Sequence, residues 1–124
     1  MPILVSLISD QAIPNLLFIR EFMGKADSYV FVTTPLMQSR SKARHLIDAA
    51  GLESSLCREV VVDDENDIEA MHQALKKELT GSGYMVNITG GTKIMFLAAY
   101  NFFMKPRNSL YYLPIGKNSI NELY

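Results

Sequence analysis

Charge of neither sign is in excess: 12 basic and 13 acidic side chains leave a formal charge of −1. Proteins that coat long nucleic acid carry a broad basic surface, so no long nucleic acid is expected, and any bound anion must be small and locally held. Cysteine occurs once, at Cys57. That excludes an internal disulfide, nothing points to an oxidising compartment, and a cytoplasmic setting is the default. No apolar run reaches the roughly 18–20 residues that span a bilayer, and the amino terminus lacks a basic segment leading into a cleavable apolar core. No membrane is therefore expected as a partner. Only two histidines occur, His45 and His72, both amid charged neighbours and at no metal-ligand spacing with each other or with Cys57. Both read as solvated, and no metal is expected.

What is present is apolar and regularly interrupted. The 124 residues, 48% of them apolar, suffice for one ordinary domain over 1–124 with a two- or three-layer core. The run PILVSLIS (2–9) is nearly continuously apolar, as a strand buried on both faces of a parallel sheet is. YVFVTT (29–34), REVVV (58–62) and YMVNIT (84–89) repeat the pattern, and SLYYLPI (109–115) supplies a fifth strand. Helical periodicity falls between them, over 14–24, 36–50, 67–80 and 92–104. Pro14 suits a first helical turn, Gly24 and Gly51 sit just past helix ends, and Asn66 with Glu69 has capping-box spacing. The carboxyl end GKNSINELY is compatible with a sixth strand. Alternation at this spacing predicts an α/β fold: a Rossmann-like three-layer sandwich with a mostly parallel five- to six-stranded sheet.

In such sheets ligands bind beyond the carboxyl ends of the strands, where strand order reverses. Three loops there are rich in hydroxyl, amide and glycine groups: SDQAIPN (9–15), TTPLMQS (33–39) and TGGTK (89–93). In the last, Gly90 and Gly91 allow peptide N–H groups to converge on an anion where a helix opens, and Thr89, Thr92 and Lys93 add hydroxyls and one charge. This is a phosphate cradle without the Walker A order, since the lysine follows the threonine. A plain tight turn is the alternative. No G-x-G-x-x-G follows the first strand, so no dinucleotide cofactor is implied. Gln11 and Asn15 both donate and accept, which suits a nucleobase edge, whereas Asp10 and Asn15 taken alone fit turn and cap roles. The acidic run Asp63, Asp64, Glu65 and Asp67 suits either a divalent cation or, more commonly, compensation of a helix dipole. Cys57 reads as a small core residue. The fourth helix, TKIMFLAAYNFFM, is apolar nearly all round and is either deeply buried or pressed against another chain as a homodimer.

The segments LVSLISDQAIPNLLFI, VNITGGTKIM and YYLPIGKN together resemble the CRISPR-associated Rossmann-fold (CARF) sensor domains, most nearly those that precede a nuclease domain. The resemblance covers essentially the whole chain. It implies a two-fold homodimer binding a cyclic oligoadenylate second messenger, most often cyclic tetra-adenylate, in type III CRISPR antiviral defence. By the same resemblance the Thr89, Gly90, Gly91, Thr92 and Lys93 loop holds ribose-phosphate, the Ser9, Asp10 and Gln11 loop contacts the ring, and Thr33, Thr34 and Met37 line the adenine side. Members usually continue into an effector, and this chain stops at Tyr124, so an effector domain is expected beyond it unless the domain stands alone. A free-standing form is expected to be a slow, metal-independent ring nuclease in which a ribose 2′-OH attacks the neighbouring phosphate, with Ser9 and Lys93 as its residues. A binding module is the favoured reading. A small regulator binding a mononucleotide is the third.

Overall fold

The computed structural model describes residues 2–64, 66–114 and 120–124. Its strands are β1 (Ile3–Leu7), β2 (Ser28–Thr33), β3 (Cys57–Val61), β4 (Tyr84–Asn87), β5 (Ser109–Tyr112) and β6 (Asn121–Glu122). Its helices are α1 (Ile13–Phe22), α2 (Pro35–Ser39), α3 (Lys42–Ala50), α4 (Ile68–Glu78) and α5 (Lys93–Phe103). They form one six-stranded sheet in the order β3-β2-β1-β4-β5-β6. The first five strands are parallel, and β6 closes the edge antiparallel to β5. The expected mostly parallel sheet, including its sixth strand, is therefore present.

Two-residue periodicity explains the layers. Along β2, Tyr29 and Phe31 enter one core while Val30 and Val32 enter the other. The first core packs Phe18 and Ile19 of α1 with Leu46 and Ile47 of α3. The second packs Met71 and Leu75 of α4 with Met95, Ala98 and Phe102 of α5. Both faces are thus covered, which is why the central strands read as unbroken apolar runs.

Four local expectations shift. The helix expected over 36–50 is two helices, because Ser41 lies in the left-handed region at φ 52°. That conformation costs a non-glycine residue about 1–2 kcal/mol, so a tertiary contact must hold it. The cap of α4 is Asp67, whose carboxylate accepts from the Ala70 N–H, and Glu69 bonds Gln73 instead of closing a box with Asn66. Gly24 lies inside a 3₁₀ turn, Met23–Lys25, whereas Gly51 does end its helix at φ 70°. The fifth strand ends at Tyr112, and the IGKN part of the closing motif lies outside the described residues.

Helix α5 is covered mostly by its own chain: Met95, Ala98, Ala99, Phe102 and Phe103 are buried, while Leu97 and Met104 stay exposed. Seven residues apart, those two lie on one helical stripe. Among the described residues no helix is long and apolar enough to cross a membrane.

Candidate functional site

Strand order reverses between β1 and β4, whose connections leave in opposite directions across the sheet. Their carboxyl ends bound a crevice by topology alone. The residues that follow β4 turn sharply there, and the two glycines do different work. A Cβ on Gly90 would lie 2.3 Å from the Leu7 carbonyl oxygen and 3.3 Å from Ser9 Oγ, so only glycine allows the turn to press on the end of β1. Gly91 instead supplies a left-handed residue at φ 82°. The Thr92 hydroxyl then caps α5 by accepting from the Met95 N–H at 3.2 Å, and Lys93 opens the helix exposed to solvent.

Beneath this turn runs a buried amide relay. Asn15 Nδ2 donates to the Leu7 carbonyl at 2.8 Å, and Asn15 Oδ1 accepts from Asn87 Nδ2 at 2.9 Å. Asn87 Oδ1 in turn accepts from both the N–H and the hydroxyl of Thr89, at 3.1 and 2.5 Å. Thr89 Oγ1 accepts from the Leu113 N–H at 2.8 Å. The relay ties β1, α1, β4 and the segment after β5 into one frame under the turn. Asn15 and Asn87 are 1% and 0% exposed, so each amide must be satisfied internally, and each is.

Against that frame a groove of about 360 Å³ opens, lined by Thr89 to Lys93 with Phe96 and Leu97. It offers peptide groups, a cation and an apolar wall side by side. Phe96 is steadied by a stacked contact with Tyr100 at 6.2 Å and an edge contact with Tyr112 at 6.5 Å.

The structure separates the remaining sequence-predicted residues. Ser9 and Gln11 lie on the loop beside Gly90; the Ser9 hydroxyl donates to the Gln11 carbonyl and accepts from its N–H, both at 3.3 Å. Asp10 is ion-paired with Arg40 at 2.7 Å and with Lys42 at 3.7 Å. The Arg40 hydrogen bond foremost, then the charges of Arg40 and Lys42, hold its carboxyl below the ordinary value of 3.8. Thr33, Thr34 and Met37 are buried: the Thr34 hydroxyl caps α2 on the Met37 N–H, and Met37 packs into the core on the α1 and α3 side. The exposed residues of that loop are Pro35, Leu36, Gln38 and Ser39 instead. Asn15 is neither a cap nor a surface amide, since it serves the relay.

Arg40 and Lys42 were not among the residues singled out from sequence, and Asn87 entered only as part of the VNITGGTKIM segment, with no role of its own. An asparagine inside a buried strand is itself a signal, because its amide has to be paired. Arg40 and Lys42 gave none, since a helix through 36–50 would turn them away from each other.

Elsewhere, Asp64 accepts from the Asn66 N–H and Asp67 caps α4, while Glu65 lies outside the described residues. Among the described residues no three His, Cys, Asp or Glu side chains gather as a metal site would require. His45 is exposed, and His72 packs edge-on to Phe102 at 5.5 Å. Cys57 is half-buried with its thiol on the Glu53 carbonyl, and burial raises its pKa.

The fold recurs in solved structures. Protein VC1899 from Vibrio cholerae superposes with a TM-score of 0.81 at 13% identity, over 99% of this chain and 33% of its own. Can2 from Sulfobacillus thermosulfidooxidans, solved in complex with cyclic tetra-adenylate, gives 0.77 at 21% identity, over 99% and 35%. Enterococcus italicus Csm6, bound to cyclic hexa-2′-fluoro-hexa-dAMP, gives 0.66 at 20% identity, over 94% and 34%. The chain therefore spans about a third of the length of these proteins. No curated protein matches it. The family model described as the Card1 CARF domain matches residues 3–124, and with the doubly wound sheet and its glycine turn at the switch point, the chain belongs to that CARF family.

Proposed function

We propose that this chain is a sensor domain that binds a cyclic oligoadenylate, cyclic tetra-adenylate first, as a two-fold dimer sharing one ring. The observation that carries the reading is the Gly90–Lys93 turn, pressed onto the end of β1 at the switch point with peptide groups, a helix start and Lys93 facing one groove. A phosphodiester suits that environment, because converging N–H groups and a cation stabilise an anion held locally. Phe96 and Leu97 on the same groove suit the apolar face of a base. Two relatives of this fold were solved with cyclic oligonucleotides, which supports the same ligand class here.

A ring with two-fold symmetry takes identical loops from each of two chains. Exposed Leu97 on α5 and exposed Met104 just past its end form the face we assign to that pairing. In the longer architecture of the matched structures, an effector region would carry out the response.

Calorimetric titration with cyclic tetra-adenylate tests this. Saturation near one ring per two chains is expected. Absence of binding at micromolar protein, or tighter binding of linear oligoadenylate, would overturn the reading.

A further inference from the structure

Arg40 and Lys42 are two residues apart, yet both reach Asp10. Arg40 Nη1 lies 2.7 Å from Asp10 Oδ1, and Lys42 Nζ lies 3.7 Å from the same oxygen and 3.5 Å from the Asp10 carbonyl oxygen. On a continuous helix residues i and i+2 face apart and share no partner. The left-handed Ser41 between them breaks the helix and lets them converge. Strained backbone at a non-glycine residue is a reason to look for function.

We infer that Arg40 and Lys42 are a second phosphate-binding element of this site, masked by Asp10 until a ligand phosphodiester takes the place of its carboxylate. The inference rests on the cyclic oligoadenylate reading above. Three observations support it.

First, the chemistry matches. A carboxylate and a phosphodiester each present a single negative charge over two oxygens, and a guanidinium accommodates either. Second, the balance is uneven: two cations face one anion, and all three side chains keep solvent exposure, 49% for Arg40, 27% for Lys42 and 59% for Asp10. Exposed ion pairs are weak, so a ligand anion competes readily. Third, the position is right. Ser9, the residue before Asp10, sits against Gly90, so the cation pair and the glycine turn flank one short loop. A ligand that repeats its phosphates engages both elements at once, whereas a mononucleotide engages one. The masked pair thereby favours a ligand with successive phosphodiesters over a mononucleotide.

The test is titration of cyclic tetra-adenylate into four forms: the native chain, Asp10→Asn, Arg40→Gln/Lys42→Gln, and the triple variant. Asp10→Asn keeps the shape of the side chain and removes its charge. It is expected to bind about two- to thirtyfold more tightly, the range that two exposed ion pairs span. The cation variant is expected to bind more weakly than the native chain, and the gain from Asp10→Asn to vanish in the triple variant. Weaker binding by Asp10→Asn would make the carboxylate a direct ligand contact and overturn the masking. Unchanged binding would overturn it as well. If the native chain binds and the cation variant binds equally, Arg40 and Lys42 have no part in the site. If no form binds, the sensor reading itself fails and this inference with it.

Discussion

Replacing Gly90 with alanine probes the closest approach in the site. The new Cβ would lie 2.3 Å from the Leu7 carbonyl oxygen, and ordinary contact begins near 3.4 Å. The turn must therefore retreat by about 1 Å, since the carbonyl is fixed by the sheet and by the Asn15 amide at 2.8 Å. Overpacking of this kind costs about 1–3 kcal/mol. For a domain of this size that lowers Tm by roughly 3–15 °C. Binding should suffer more, because the displaced peptide groups no longer converge on the ligand. Losing one hydrogen bond to a charged group costs about 1.5–3 kcal/mol, or roughly ten- to a hundredfold in affinity. Gly91→Ala is the control. Its φ of 82° strains any side chain by about 1–2 kcal/mol, but the atoms nearest its Cβ belong to the Met95 side chain and not to β1. Thermal unfolding and calorimetric titration of both variants separate the two effects. A Gly90→Ala protein with native Tm and native affinity would refute the close-approach argument.

Three other outcomes are expected. Asn87→Leu strands the Asn15 side-chain Oδ1 and the Thr89 N–H, so urea unfolding should show a loss of about 1–3 kcal/mol for each buried group left unpaired, with the slope unchanged. Lys93→Ala should leave Tm unaltered, since the side chain is exposed, yet weaken ring binding by about 1.5–3 kcal/mol; equal affinity would remove Lys93 from the site. The Asp10 carboxyl, depressed chiefly by its Arg40 hydrogen bond, should titrate below 3.8 by carbon NMR and return toward that value in Arg40→Gln. Because its folded pKa is lowered, the stability this pairing contributes is present above the ordinary carboxylate range and fades as pH falls through the depressed value.

The layers of this fold are legible because both faces of the central strands are buried. PILVSLIS and YVFVTT could not alternate with polar residues and still serve two cores. The turn between β4 and α5 was legible too, from two adjacent glycines between an apolar strand and a helix. What each glycine does was not, because close approach to Leu7 depends on β1 lying beside β4, a pairing between segments some 80 residues apart. The break at Ser41 was hidden for the same reason. No local propensity calls for a left-handed serine there, and what it permits is a contact with Asp10, about 30 residues earlier. Asn15 and Asn87 show how a polar residue changes meaning with burial. On a loop Asn15 reads as a ligand contact, whereas within the packed α1 face it bonds Asn87 and supports the turn from below.

The most direct test of the site is amide NMR of the chain as cyclic tetra-adenylate is added. The largest shifts are expected at Gly90 to Lys93 and at Ser9 to Gln11, with residues around Lys76, Gly81 and Lys105, by the amino-terminal ends of β4 and β5, little changed. Shifts concentrated at that amino-terminal end of the strands, with the glycine turn unmoved, would contradict the assignment of the site.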